Sequence, residues 1–304
     1  MLRAALGMAR RLDLQRALVL ARVGRRVLAH ERGWCLRNLA LVFGPHLDVA
    51  SRERLAGLAF EHHFMSYLEG ARASEVMMHV PPEVETLLSA WREGRGVVCC
   101  TVHLGSWEST VALAGTTGLP VAVVYREAQN PLAEREFQRA REACEVEWIP
   151  RARLMDAGRA LREGKVLMLM TDVNTVTSAV TADFLGIPAQ CPSLAARFAR
   201  HYGAPIVPAV AIRMEPGHAR LPFGEVIRPE AHADAASLTR AVNAALEPRV
   251  LEHAEQYNWL HPRWRTRPDG RTWTLAEPLT GQVAERVAPF AEVPARVRAL
   301  LGLP

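Results

Sequence analysis

The feature that most constrains this chain is an alternation. From residue 97 onward, short apolar runs are separated by charged, periodic stretches. GRGVVCCTVH opens on glycines and continues as an apolar run, 97–102. PVAVVY follows at 120–125, VEWI at 146–149, KVLMLMT at 165–171 and PIVPAVAIR at 205–213. Runs of this length, apolar at successive positions, predict strands buried on both faces. Between them SWESTVALAG, NPLAEREFQRAREAC, RLMDAGRALREG and PSLAARFARHYG read as helices. Strand and helix in alternation predict an α/β fold, with a largely parallel central sheet flanked by helices and a helical N-terminal segment before it.

The remaining elements follow from the same patterns. Residues 50–70 predict a helix opened by Ser51, and Pro81-Pro82 begins another that runs to about Glu93. ARLPFGEVI, 219–227, predicts an antiparallel strand, and 236–257 a long helix. The small, polar stretch VNTVTSAVTA, 173–182, reads as a loop over the sheet edge. This divides the chain into a helical segment 1–93, an α/β core 94–270 and a C-terminal tail with a helix, 271–304.

Charge and cysteine usage exclude several classes. Arginine supplies 36 of the 37 basic residues, Lys165 being the one lysine. Residues 1–46 hold nine arginines against Asp13 and Glu31, so the net charge of +5 is concentrated at the N-terminus. On a helix over 2–28, Arg3, Arg10, Arg11, Arg22, Arg25 and Arg26 share a broad face, with Leu6, Ala9, Leu12, Leu20, Val23 and Val27 mostly opposite; Leu14, Arg16 and Leu18 break the pattern. Such a helix either lies in the headgroup plane of an anionic membrane or packs on its own domain with a solvated basic face. No run of about 18 apolar residues predicts a membrane span. Five cysteines without a C-x-x-C pair argue against a disulfide framework or a zinc ribbon. No G-x-x-x-x-G-K-[ST] or strand-borne G-x-G-x-x-G supports nucleotide binding, and no G-x-S-x-G elbow supports a serine hydrolase. No nucleic acid or metal is expected.

The first buried run ends in His103-Leu104-Gly105-Ser106-Trp107-Glu108. Ligands in open α/β sheets bind at the carboxyl ends of the strands. There His103 would leave the strand, Gly105 would allow a tight bend, and Glu108 would enter the next helix. A carboxylate returned to one imidazole nitrogen would fix the tautomer and leave the other nitrogen as a general base. Arg126 follows another buried strand. It is either a ligand for a phosphate or an oxyanion, or a surface arginine paired with Glu127 or Glu134. Asp172 ends a third strand, where it orients Arg126 or other site groups, or caps the turn. Asn130, before Pro131, is a helix cap or a substrate contact. His62-His63 read as a helix-surface pair, since adjacent helical residues point about 100° apart. Cys99 and Cys100 face opposite sides of a strand and read as core packing. The Trp259–Trp273 stretch is either a membrane-interface anchor or packed on the domain.

The HLGSWE block resembles the HFGNWE-like block of the lipid A late (secondary) acyltransferases, a branch of the lysophospholipid acyltransferase superfamily with its H-x4-D/E motif. Further blocks resemble that family in the same order: Arg37-Asn38-Leu39 through Phe43; Val124-Tyr125-Arg126 with Asn130-Pro131; Met170-Thr171-Asp172; Phe184-Leu185-Gly186; Ala204 to Pro208; and Trp259-Leu260-His261-Pro262-Arg263-Trp264-Arg265-Thr266-Arg267-Pro268. Val173 stands where the family has glutamine, and the tail beyond Pro268 matches nothing in it. The resemblance implies O-acyl transfer without a cofactor. A fatty acyl chain would move from an acyl thioester, with acyl carrier protein ahead of coenzyme A as carrier, to a hydroxyl of a membrane lipid such as a lipid A precursor or another glycolipid. His103 would be the base, Glu108 its orienting acid, and Arg126, Asn130 and Asp172 substrate contacts. It also implies a peripheral place on the cytoplasmic face of the inner membrane. An esterase or thioesterase using water, and a non-catalytic lipid-binding relative, are the alternatives.

Overall fold

A computed structural model describes residues 29–72, 75–127, 131–142, 144–276 and 290–304. Two helices come first, α1 (Ala29–Phe43) and α2 (Val49–Gly70), then β1 (Met77–His79) and α3 (Val84–Arg92). The alternating region follows as β2 (Val97–Thr101), α4 (Ala112–Thr117), β3 (Val121–Tyr125), α5 (Pro131–Glu142), β4 (Glu147–Pro150), α6 (Leu154–Arg162) and β5 (Val166–Met170). Next come β6 (Ala179–Phe184), β7 (Ile187–Pro192), α7 (Leu194–Tyr202), β8 (Ile206–Pro208), β9 (Ile212–Glu215) and β10 (His218–Arg220). The long helix α8 (Ala235–Glu252) and the short α9 (Ala295–Leu301) complete the set.

The central sheet has the order β4-β3-β5-β2-β8, and every pairing in it is parallel. All five residues of β2 are buried, as a strand covered on both faces requires. Its side chains alternate between two cores. Val98, Cys100, Val102 and Leu104 pack with Leu167, Leu169 and Ile206 and with residues of α1, α2, α6, α7 and α8. Val97 and Cys99 pack on the other side with Val166, Met168 and Val207 and with Leu87, Ala90, Leu113 and Ala114 of α3 and α4. Cys99 and Cys100 thus face opposite ways.

Five segments depart from the sequence reading. PIVPAVAIR is not one strand: β8 stops at Pro208, and the chain resumes as β9 in a second sheet of order β1-β10-β9. Of the 219–227 region only Ala219 and Arg220, in β10, are ladder strand; Phe223 and Ile227 make isolated bridges to Ala209 and Ile206. The expected loop 173–182 is half strand, since residues from Ala179 form β6 and pair antiparallel with β7. Its two-residue turn is Leu185-Gly186, both at positive φ (53° and 70°). That geometry normally calls for Asn-Gly, so a leucine there hid the hairpin. SWESTVALAG opens as a 3-10 turn, Trp107–Val111, before α4. Helix α2 is opened by Asp48, whose carboxylate accepts from the Ser51 N–H at 2.7 Å, rather than by Ser51 itself.

Trp259, Trp264 and Trp273 are buried, so the tryptophan-rich stretch packs on the domain. Helix α9 docks through Val297 and Leu301, with the Leu301 carbonyl accepting from Arg54 at 3.0 Å. The basic face expected over 2–28 lies outside the described residues. Among the described residues no helix is long and apolar enough to cross a membrane.

Leu167 of β5 is fully buried. Leu167→Ala should lower the unfolding free energy by about 2–5 kcal/mol, read from urea denaturation with an unchanged slope.

Candidate active site

The register of the parallel sheet builds the centre of the site. Thr101 of β2 pairs with Met170 of β5, and the Thr171 N–H continues the ladder to the Thr101 carbonyl at 2.9 Å. Two residues past each strand end, His103 and Asp172 therefore stand side by side. The Asp172 carboxylate accepts from the His103 backbone N–H at 3.0 Å and lies 2.7 Å from Nδ1 of the same residue. One carboxylate so grips both the main chain and the ring. Asp172 is 3% exposed, whereas the His103 side chain is 23% exposed at the open edge of the sheet.

The turn after His103 is clamped on every side. The His103 carbonyl accepts from the Asn258 N–H at 2.9 Å, the Gly105 N–H donates to the Gln256 carbonyl at 3.1 Å, and the Ser106 N–H donates to the Ala211 carbonyl at 2.9 Å. Gly105 has φ +58°, and a Cβ there would lie 2.1 Å from the Ala211 carbonyl oxygen. The glycine is thus required by conformation and by close approach together. Trp107 places its ring edge against His103, 5.5 Å between centroids, and stacks on His63 at 5.3 Å.

Glu108 follows, half-buried and pressed against the end of α2: a Cβ on Gly70 would come within 2.5 Å of the Glu108 Cβ. The sequence reading had Glu108 orient the imidazole. The hydrogen bond to Nδ1 comes from Asp172, which sheet register delivers to the ring. Glu108 still acts on the ring through its charge.

Electrostatics separate His103 from its neighbours. Burial pulls the His103 pKa down, but the Asp172 charge, the hydrogen bond to it and the Glu108 charge outweigh this, and the pKa is raised above 6.5. Burial pushes Asp172 up, yet the His103 charge and hydrogen bonds hold it below its ordinary value. Burial also raises the Glu108 pKa, against Arg141 and His103. His63 and His261, whose charges couple to His103, make no hydrogen bond to a carboxylate among the described residues. Burial, then the charge of His103, lowers them to about 3 and about 4.

The structure brings His103, Asp172 and Glu108 together. Arg126 is exposed after β3, and no hydrogen bond or ion pair joins it to them among the described residues. Glu134, its expected surface partner, instead pairs with Arg141 at 3.1 Å. Asn130 lies outside the described residues. Several site residues escaped the sequence reading. Arg141 lies over the Tyr125 ring at 4.0 Å and the Trp148 ring at 4.9 Å, and its charge reaches Glu108. His261 accepts from the Asn174 N–H at 2.8 Å. Asn38 of the RNL block holds the carbonyls of Trp259 and His261, both at 2.8 Å. His62 and His63 are not a surface pair: His62 binds the buried Arg213, and His63 stacks under Trp107. Among the described residues no group of three or more His, Cys, Asp or Glu side chains is arranged to hold a metal ion.

Residues 8–266 match the family model described as bacterial lipid A biosynthesis acyltransferase. The chain belongs to this family. As a member it is an acyltransferase of the lipid A type, taking an acyl donor and a lipid acceptor. It is 26% identical to the lipid A biosynthesis lauroyltransferase of Escherichia coli K12, over 77% of this chain and 79% of that one. It is 25% identical to the phosphatidylinositol mannoside acyltransferase of Mycolicibacterium smegmatis, over 75% of this chain and 78% of that one. The crystal structure of the 1-acyl-sn-glycerophosphate acyltransferase of Thermotoga maritima aligns at a TM-score of 0.39 and 13% identity, covering 76% of this chain and 97% of that one.

If Asp172 is the main group raising His103, Asp172→Asn leaves burial opposed only by the Glu108 charge. The His103 imidazole pKa should then fall below its wild-type value in an NMR titration, with the fold intact by circular dichroism. An unmoved titration would assign the shift elsewhere.

Proposed function

We propose that this enzyme transfers a fatty acyl chain directly from an acyl thioester to a hydroxyl of a membrane lipid, a lipid A precursor or another glycolipid, with His103 as general base. The observation that carries the reading is the 2.7 Å contact of His103 Nδ1 with buried Asp172 at the ligand edge of a parallel sheet. With Nδ1–H committed to Asp172, Nε2 is the nitrogen free to accept a proton. His103 Nε2 removes the acceptor hydroxyl proton as that oxygen attacks the thioester carbonyl. The carbon–sulfur bond then breaks, and the leaving thiolate takes the proton back from the imidazolium. Asp172 and Glu108 stabilise the transient imidazolium by their charge.

The donor carrier is acyl carrier protein in this reading, by analogy with the family, and no cofactor enters. A glycolipid acceptor is supported by the names of the two relatives, one for a mannoside of phosphatidylinositol and the other for lipid A biosynthesis. Arg126, on the same strand-end edge as His103, is the candidate contact for a phosphate of acceptor or donor, since a guanidinium fork matches phosphate geometry. Asn130 is a second candidate contact. The enzyme would work as a peripheral protein on the cytoplasmic face of the inner membrane, held in part by the basic residues of segment 1–46.

The test is turnover of radiolabelled acyl carrier protein and acyl-coenzyme A thioesters with a lipid A precursor and with a phosphatidylinositol mannoside. Loss of label to water rather than to lipid would favour a thioesterase. His103→Ala should reduce transfer by at least the 10²–10⁴ typical of general base assistance; near-normal transfer by the folded variant would sink the mechanism. A base must be unprotonated, so kcat/KM should rise with pH through an apparent pKa above 6.5 and be lost below it. Direct transfer also forms no covalent intermediate. Intact-mass spectrometry after addition of donor alone should show no acyl adduct, consistent with the burial of Cys35, Cys99, Cys100 and Cys191.

A further inference from the structure

Behind the catalytic turn lies a charged group that the mechanism does not use. Arg213 of β9 is almost wholly buried, its side chain 3% exposed, and its partner Glu69 is at 0%. One face of α2 wraps this guanidinium. Glu69 accepts from Nε at 2.9 Å and from Nη2 at 2.6 Å. Ser66, one turn earlier, accepts from Nη2 at 3.0 Å. His62, a further turn back, accepts from Nη1 at 2.7 Å through Nδ1 and at 3.2 Å through its carbonyl. Positions 62, 66 and 69 fall on one helical stripe. Burial, then the Arg213 charge, holds the His62 pKa at about 3, so its imidazole is neutral and can accept.

The remaining bond leaves the helix. Nη2 of Arg213 donates to the Gly105 carbonyl at 3.0 Å, and the Ser66 hydroxyl donates to the same oxygen. Gln256 locks the Arg213 main chain on both sides, accepting from its N–H at 2.9 Å and donating to its carbonyl at 3.1 Å. The Gln256 carbonyl meanwhile receives the Gly105 N–H. Both polar groups of the Gly105 peptide therefore hang on one assembly, two residues from His103. A pair of charges removed from water is costly and is a weak stabiliser compared with packed hydrocarbon. Its clearest product here is a fixed carbonyl in the turn between His103 and Glu108.

We propose that Arg213, held by Glu69, Ser66 and His62, is a positioning residue for acyl transfer, setting the backbone of the catalytic turn so that the His103 ring meets Asp172. Lysine cannot replace it. An ammonium carries three donors from one point, whereas the guanidinium spans the carboxylate, the imidazole, the hydroxyl and the Gly105 carbonyl with a planar fork.

This inference rests on His103 being the base, and its test keeps the two apart. The groups facing the His103 ring are Asp172 after β5, Glu108 and Trp107 in the 3-10 turn, His63 of α2 and His261 of the C-terminal stretch. None is altered in Arg213→Lys, which also preserves the charge beside Glu69. Purified full-length Arg213→Lys should fold, lose at least tenfold in kcat with KM within about twofold, and show the His103 imidazole pKa moved down toward 6.5 by NMR. The acid limb of kcat/KM should follow it. Wild-type kcat in the folded variant overturns the proposal. So does a loss that tracks only the folded fraction, or a lower kcat with an unmoved imidazole pKa. If Arg213→Lys does not fold, Ser66→Ala removes one donor to the Gly105 carbonyl while keeping the ion pair, and the same two readouts decide. The NMR titration needs no turnover. An active His103→Ala enzyme would refute the base assignment while the titration still reports whether Arg213 sets the ring.

Discussion

The hydrogen bond between His103 and Asp172 exists because β2 and β5 lie in one parallel register, and most of what the site can do depends on that alignment. The register is not set by the site. It is set by the alternation of Val97 to Thr101 and Val166 to Met170 between two cores, where a slip of one residue would turn each side chain to the wrong layer. Hydrophobic packing on both faces of the sheet thus delivers two polar residues to one point beyond its edge. Neither residue could be placed so by local sequence, since they are 69 positions apart.

The same centre shows why one histidine among several can be the base. His62, His63 and His261 are all desolvated and all pushed toward neutrality, with values near 3 to 4. His103 suffers the same penalty, yet it has a carboxylate in contact and a second carboxylate nearby, and its shift is upward. The distinction lies in the partner rather than in burial. Protonation of His103 is therefore accommodated by charges already in place.

Much of the fold was legible because period and punctuation carry it. The five strands of the parallel sheet and the helices between them follow from short apolar runs flanked by amphipathic ones. The failures have local causes. Pro208 ends a ladder that hydropathy alone extends to Arg213. Leu185 occupies a positive-φ position that usually advertises itself with asparagine or glycine, so β6 and β7 stayed hidden. In the site, His103 and Asp172 were each visible as strand-end residues, but their partnership was not, since strand order does not follow from strand identity. Spacing points to Glu108 as the orienting acid, whereas the hydrogen bond to Nδ1 comes from Asp172. The stripe His62, Ser66 and Glu69 was a readable signal: polar residues at 62, 66 and 69 share one helical face and must meet a buried partner or water.

Two glycines show how closely the elements around the turn approach. At Gly105 a methyl group would meet a carbonyl of the segment leading into β9, and at Gly70 it would meet the Glu108 side chain. The catalytic turn is therefore sandwiched between a helix end and a strand approach with no side chain as spacer on either side. In such a place shape is fixed by backbone contact and by hydrogen bonds to backbone groups, both of which are short-ranged and steep. Residues in the neighbouring elements then influence the reacting centre by where they hold the main chain. The turn that carries His103 is thus held by its neighbours' backbone, while the His103 side chain stays 23% exposed at the sheet edge.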